Sequence, residues 1–290
     1  MFAWLYFNPP RILFTIPYLN FAIYIYSLLF AVGFIGGYYL FYHSIKKHFY
    51  YFDPKLDPSL YTVKARAFAD KVLFCFVLAT LIGARLGHMF FYESPMRYLQ
   101  NPLEILNFRQ GGLASHGAAV AIIIALIVLA RKIKKKIPNM SFISLLDMIA
   151  MPTAFAAIWI RVGNFINQEI LGIPSHMPWA VIFANPFDGS LPVPRHPAQL
   201  YEAICYLFTF ILLFLAVKKK LFLFKGRIIG LFFICIFTSR FFIEFFKEEQ
   251  SFFANLTYLN MGQLLSIPFV LIGSTLVLLS YSRYKRVFSA

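Results

Sequence analysis

The chain has 290 residues, 60% of them hydrophobic and only 13% charged, with 36 Phe and 17 Tyr. That balance is far more apolar than a soluble domain, and a water-soluble fold of this size would have to expose apolar patches well beyond what monomers tolerate. The formal charge of +15 does not point to nucleic acid either, because the basic residues stand in clumps between apolar runs rather than on one face of a folded domain.

The chain opens with MFAWLYFNPPRILF, which has neither a basic region before its apolar residues nor a small-residue cleavage pattern, so a removed signal peptide is not expected. Pro9 and Pro10, flanked by aromatics, predict a segment lying at the membrane interface. Apolar runs long enough to cross roughly 30 Å of hydrocarbon follow near 20–42, 72–92, 113–130, 142–160, 198–217, 227–245 and 259–282. The expected fold is therefore an all-α polytopic membrane protein, one domain over 1–290 with seven transmembrane helices. Asp147 and Pro152 interrupt the fourth run. Between the fourth and fifth, about 167–196, prolines at 174, 178, 186, 192 and 194 predict a small cap without a long helix. The closing YKRVFSA carries no lipidation signal.

Eighteen of the 27 Lys and Arg residues lie in the connections 43–69, 131–141 and 218–227 and in the tail, whereas Arg11, Arg97, Arg109, Arg161, Arg195 and Lys247 occupy the opposite side. Basic residues near span ends stay cytoplasmic. The amino terminus is expected outside, the carboxyl terminus inside, and the cap periplasmic.

With that orientation the polar residues of the spans fall at similar depth. Arg85 lies roughly 20 Å from the cytoplasmic end of crossing two, in its outer third. His116 stands near the outer start of crossing three, and crossing four ends at Arg161, followed by Asn164, Asn167, Gln168 and Glu169. Crossing five begins with RHPAQLYEA, supplying Arg195, His196, Gln199, Tyr201 and Glu202. Crossing six finishes with Arg240 and Glu244, four residues apart on one helix face, and crossing one carries Asn20 and Tyr26. A charge in mid-span costs about 2.5–3.5 kcal/mol on insertion scales and usually marks a cavity or a partner. Singly, each has an ordinary explanation: arginines snorkel to headgroups, an Arg–Glu pair braces a helix, and a histidine packs. Convergence from several crossings predicts a pocket.

Three or more arginines facing few carboxylates form an anion site, and the guanidinium fork fits phosphate oxygens. At this depth the expected anion is a phospholipid headgroup. A lipid or anion transporter would also use such arginines, but transporters place their site near the midplane; a non-catalytic lipid or signal-peptide receptor remains a second alternative. Cys75, Cys205 and Cys235 lie inside apolar runs as packing residues. His43 and His48 fall in the basic loop and no second histidine stands at ligand spacing from His116, so neither metal nor cofactor is expected.

Several stretches resemble, in order, the bacterial prolipoprotein diacylglyceryl transferase family: YSLLFAVGF at 26–34, GARLG at 83–87, GGLASHGAA at 111–119, RVGNFINQEILG at 161–172, PRHPAQLYE at 194–202, RFFIEFFKE at 240–248 and MGQLLSIP at 261–268. The chain departs from the family pattern at Ile160, where a glycine usually precedes the arginine, and at Ala118, where a second glycine usually follows the histidine. The resemblance implies transfer of the diacylglyceryl group of phosphatidylglycerol to the lipobox cysteine of a prolipoprotein at the outer leaflet of the bacterial cytoplasmic (inner) membrane. Its partners would be phosphatidylglycerol, a prolipoprotein signal peptide and membrane lipids, with no nucleic acid. By position it implies functional roles for Tyr26, His116, Arg161, Asn164, Glu169, Gly172, Arg240 and Glu244; Arg85 and His196 join them on depth. His116 is the candidate base, and Arg161 and Arg240 the phosphate clasp. Glu244 is expected to orient Arg240, Glu169 to orient Arg161 or an amide, and Gly172 to permit a turn.

Overall fold

The computed structural model describes residues 4–19, 21–53, 55–93, 95–101, 104, 114–137, 139–248 and 259–288. Asn20, Arg109 and the first three residues of GGLASHGAA lie outside them. Seven helices are long and apolar enough to cross a membrane: α1 (Ile25–Phe52), α2 (Leu60–Tyr92), α4 (Ser115–Ile133), α5 (Phe142–Asn167), α6 (Ala198–Lys218), α7 (Arg227–Ile243) and α8 (Met261–Phe288), with a short α3 (Pro95–Gln100). Most are longer than their hydropathy. α1 continues to Phe52, so His43 and His48 are helical rather than loop residues, and α5 runs seven residues past Ile160.

The chain packs as two compact units, Met1–Phe41 with Leu146–Ala290, and Tyr42–Leu145. In the second, α2 and α4 meet backbone to backbone. A Cβ on Gly117 would fall 2.3 Å from the Gly83 carbonyl oxygen and 2.7 Å from Gly87 Cα, so these positions admit only hydrogen. Lipid tails are as apolar as leucine, and close approach of this kind supplies the dispersion contact that holds membrane helices together.

In the first unit Ala150, Met151 and Ala154 of α5, Tyr206, Leu213 and Ala216 of α6, and Ile228, Phe232 and Ile236 of α7 form one buried core. Pro152 sits inside α5, where Thr153 Oγ1 bonds the Ile149 carbonyl at 2.9 Å. The amino end of α7 is capped from another helix. Asp147 Oδ2 accepts from the Gly226 N–H at 2.6 Å and Oδ1 from the Ile229 N–H at 2.9 Å, satisfying two of the donors a helix start leaves open. Helix α8 starts on a reciprocal box, with Asn260 Oδ1 accepting from the Gln263 N–H at 3.0 Å and Gln263 Oε1 from the Asn260 N–H at 3.1 Å.

The segment between α5 and α6 contains β4 (Val181–Phe183) and β5 (Pro194–Arg195), and the amino-terminal segment supplies β1 (Leu5–Phe7), which pairs parallel with β4 while β5 pairs antiparallel on its other side. Beneath them Phe165, Leu171, Val181 and Phe183 cluster with Phe7 and Leu200. Strands β2 (Ile12–Ile16) and β3 (Phe21–Tyr24) form an antiparallel hairpin whose Leu13, Phe14, Tyr18 and Phe21 are exposed.

Candidate active site

The polar stretch after Ile160 does not follow a helix; it occupies the last two turns of one. Arg161 and Asn164 are three residues apart and share a face, and Arg161 Nη1 donates to Asn164 Oδ1 at 3.0 Å. Asn164 Nδ2 in turn donates to Glu169 Oε1 at 2.6 Å, so Glu169 orients the amide rather than the arginine. Tyr26 of α1 lies within polar reach of Glu169 and Asn164, and its ring rests against Gly163, where a Cβ would come within 2.8 Å of Tyr26 Cδ2.

The turn beyond α5 is not made by Gly172. Gln168 and Ile170 take the left-handed conformation, with φ of 57° at both, an unusual state for a β-branched side chain. Surrounding bonds hold it: Gln168 Oε1 accepts from the Asn185 N–H at 2.7 Å and Gln199 Nε2 donates to the Glu169 carbonyl at 2.7 Å. Gly172 is required by proximity. A Cβ there would sit 2.3 Å from the His196 carbonyl oxygen and 2.8 Å from that of Phe246. At that point three segments run side by side, through Ile173 N–H to Phe246 O, Glu248 N–H to Leu171 O and His196 N–H to Ile173 O.

Arg161 finds its carboxylate on α6. Its Nε lies 2.9 Å from Glu202 Oε2, and the Glu202 side chain is wholly buried. The contact is at ion-pair distance without hydrogen-bond alignment, for neither Glu202 oxygen has a hydrogen-bond partner among the described residues. The other oxygen, Oε1, stands 3.6 Å from Lys247 Nζ, which is 3.2 Å from Glu244 Oε2. Among the described ion pairs Glu244 therefore takes Lys247 and not Arg240. Helix α7 ends at Ile243 and Glu244–Phe246 tighten into a 3-10 turn, where side chains three apart eclipse; Glu244 thereby faces Lys247 instead of continuing the stripe of Arg240. Arg240 Nε is buried with no hydrogen-bond partner among the described residues, and Tyr206 lies within electrostatic reach of both Arg161 and Arg240.

This corrects one premise read from the sequence. Arg161 does not face few carboxylates: Glu202 pairs with it, Glu244 lies within electrostatic reach, and Glu169 is joined to it through Asn164. Low-dielectric surroundings make an unpaired charge costly, and the compensation is internal. The sequence places Glu202 at this depth and Lys247 on the outer side but gives neither a role, because nothing in the spacing identifies which carboxylate meets which cation.

Arg195 lies outside the cluster, donating from Nη1 to Glu248 Oε2 at 2.7 Å and to the Gly172 carbonyl at 3.2 Å, and so clamps the three-segment crossing. His196 is buried; its Nδ1 is 3.0 Å from the Tyr201 hydroxyl, which accepts from Trp179 Nε1 at 2.7 Å. Burial pushes the His196 pKa below its ordinary value, consistent with a neutral ring.

Arg85 and His116 belong to the Tyr42–Leu145 unit. Arg85 is buried, with Nη2 donating to the Glu104 carbonyl at 2.6 Å and its guanidinium 5.7 Å from the Tyr98 ring. His116, in the first turn of α4, is exposed beside Phe91 (5.1 Å between ring centroids) and Tyr92 (5.8 Å). Tyr92 stacks on His88, whose Nε2 is 3.3 Å from Glu93 Oε1. Among the described residues no group of three or more His, Cys, Asp or Glu is placed to hold a metal.

Fold and site together define a multi-pass α-helical membrane protein with a buried arginine–carboxylate centre joining the ends of three spans. The chain belongs to the prolipoprotein diacylglyceryl transferase family, whose profile matches residues 11–279. It is 38% identical to the phosphatidylglycerol–prolipoprotein diacylglyceryl transferase of Protochlamydia amoebophila strain UWE25, over 95% of this chain and 94% of that one. Identity is 37% to the enzyme of the same name from Tolumonas auensis, over 91% and 94% of the two chains, and 41% to that of Bacteroides fragilis, over 86% of each.

Proposed function

We propose that this protein is a transferase that moves the diacylglyceryl group of phosphatidylglycerol to the thiol of the lipobox cysteine of prolipoproteins, releasing glycerol phosphate, the first step of lipoprotein maturation. The names of its relatives and its family membership support the reading. The observation that carries it is Arg161, half-buried at the end of a membrane span with its guanidinium held by Glu202 and Asn164, together with an Arg240 that shares Tyr206 with it and whose buried Nε has no hydrogen-bond partner among the described residues.

The sulfur forms a bond to the glycerol carbon that bears the phosphate, and the carbon–oxygen bond breaks with its electron pair on the phosphate oxygen. The thiol proton passes to His116 and from there to the departing monoester or to water. A free thiol has a pKa near 8.5, so a base is needed at neutral pH. The nucleophile comes with the substrate, and the chain's own three cysteines are free and half-buried. Arg161 and Arg240 stabilise charge growing on the leaving oxygen, an effect enhanced where water is scarce. Tyr26, Asn164 and Glu169, with Arg85, position the lipid headgroup. The reaction takes place at the outer leaflet of the cytoplasmic membrane, with the amino terminus and the 167–196 cap on that side.

Purified protein incubated with phosphatidylglycerol and a lipobox peptide should yield a thioether product and glycerol phosphate in equal amounts. Binding of both without product would indicate a receptor, and lipid movement across vesicles without product a transporter. Near-wild-type turnover by His116→Gln across neutral pH would remove the base role alone.

A further inference from the structure

Lysine is almost never buried without a partner, and Lys247 is buried. Its ammonium stands 3.2 Å from Glu244 and 3.6 Å from Glu202. Both separations exceed the roughly 2.7–2.9 Å of a tight charge-assisted bond, whereas Arg161 closes on the same Glu202 to 2.9 Å. The Lys247 backbone is pinned, with its N–H donating to Glu244 O at 3.3 Å and the residue bridging Gly172. What can move is the four-carbon stem, and an ammonium needs no fixed plane to meet an oxyanion.

Charge balance makes that freedom useful. Arg161, Arg240 and Lys247 are matched in formal charge by Glu169, Glu202 and Glu244, so the cluster offers an incoming anion no net positive charge. A phosphodiester enters with a single negative charge, and the monoester that departs carries about −1.5 to −2 at pH 7. Arg240, without an ion pair among those described, meets the first charge, and for the second a cation is redirected from carboxylate to phosphate as the bond breaks. Arg161 is held by Glu202 and Asn164.

We propose that Lys247 is a third phosphate-binding cation, lodged between Glu202 and Glu244 and drawn onto the phosphate oxygens as the carbon–oxygen bond breaks. Glu202 is the positioning residue that keeps it beside Arg161. This rests on the transferase reading above. Because the second charge appears only as the leaving group departs, Lys247 favours the transition state over the bound lipid and acts on kcat rather than on KM.

The test uses the purified full chain in lipid, transfer from phosphatidylglycerol to a lipobox peptide, and inhibition by glycerol phosphate. Lys247→Met should lower kcat by about tenfold or more while KM for the lipid stays within roughly threefold; Lys247→Arg should keep a substantial part of kcat. Inhibition of the wild type by glycerol phosphate should strengthen as pH rises through about 6, where the monoester gains its second charge. Lys247→Met should lose that strengthening and Lys247→Arg should keep it. A role confined to folding would lower the yield of active protein and leave the pH dependence of inhibition intact, which would overturn the proposal, as would wild-type turnover in Lys247→Met. Should Lys247→Met not fold, Glu244→Gln reads the same exchange from the other side. Freed of one carboxylate, Lys247 should bind glycerol phosphate more tightly, and unchanged or weaker inhibition refutes it. A wild-type protein that makes no thioether sinks the transferase reading instead.

Discussion

Helix α5 carries a buried carboxylate near one end and a half-buried guanidinium about 21 Å away near the other, and the fold treats them in opposite ways. Asp147 has both oxygens met by backbone N–H groups at the start of α7. At the Arg161 end, Glu202 has no aligned hydrogen bond on either oxygen, and Gln199 Oε1 and Arg240 Nε are likewise buried and unmatched. Both ends hide charge from water, but only one is satisfied. An unmatched buried polar group costs about 1–3 kcal/mol, and a site that accumulates several stores that cost where an arriving ligand can relieve it.

The sharpest way to break this comparison is to delete one charge at each end. Arg240→Ala removes a cation with no ion pair among those described, so it should leave insertion and thermal stability nearly unchanged while lowering transfer by roughly 100- to 1000-fold, the scale for losing one preorganised charge donor. Asp147→Ala should do the reverse. Two helix-start donors lose a charged acceptor, so unfolding in detergent should show a loss of about 2–3 kcal/mol, with turnover per folded molecule unchanged. Equal losses of activity in both variants would mean that satisfaction of buried groups does not separate structural from functional charge here.

The same contrast explains what was legible in the sequence. Hydropathy located all seven spans because lipid requires long apolar runs, and Asp147, which interrupts the fourth of them, is met by the backbone N–H groups at the start of α7. The end of α5 was not legible. Hydropathy stops at Ile160, but Arg161 donates to Asn164 and pairs with Glu202, so the helix continues to Asn167. The pairing of Leu5–Phe7 with Val181–Phe183 was hidden for a different reason: the partners stand far apart in the chain, and a cap dense in proline gives no periodic signal. The arginines and glutamates were visible singly. Their pairing was not, because it depends on a 3-10 turn at Glu244 that takes this carboxylate from Arg240 and gives it to Lys247.

Gly172 lies between the two kinds of region, inside a motif yet needed for packing. Gly172→Ala puts a methyl group 2.3 Å from the His196 carbonyl oxygen, and backbone on both sides must separate. Overpacking of this kind costs about 1–3 kcal/mol. Because the displaced segments carry Glu169 and Lys247, transfer should fall further than stability. Loss of stability with full turnover would show that the crossing of 171–173, 194–196 and 246–248 does not position the polar cluster.

The smallest effect is expected at His196, which is satisfied like Asp147 but lies beside the unsatisfied cluster. Burial depresses its pKa in the fold, so between the unfolded value near 6.5 and the lower folded value the unfolded chain binds more protons than the native one. Stability therefore rises with pH through that window, is complete above about 6.5, and declines as pH falls toward the folded pKa. His196→Gln keeps a group able to bond Tyr201 and removes the titration, so the midpoint of thermal unfolding should become flatter between about pH 5 and 7 while remaining close to wild type at pH 8. A variant that stays as pH-sensitive as the wild type would locate the titrating group elsewhere. A variant that instead loses transfer at pH 8 would move His196 from the satisfied framework into the reacting site.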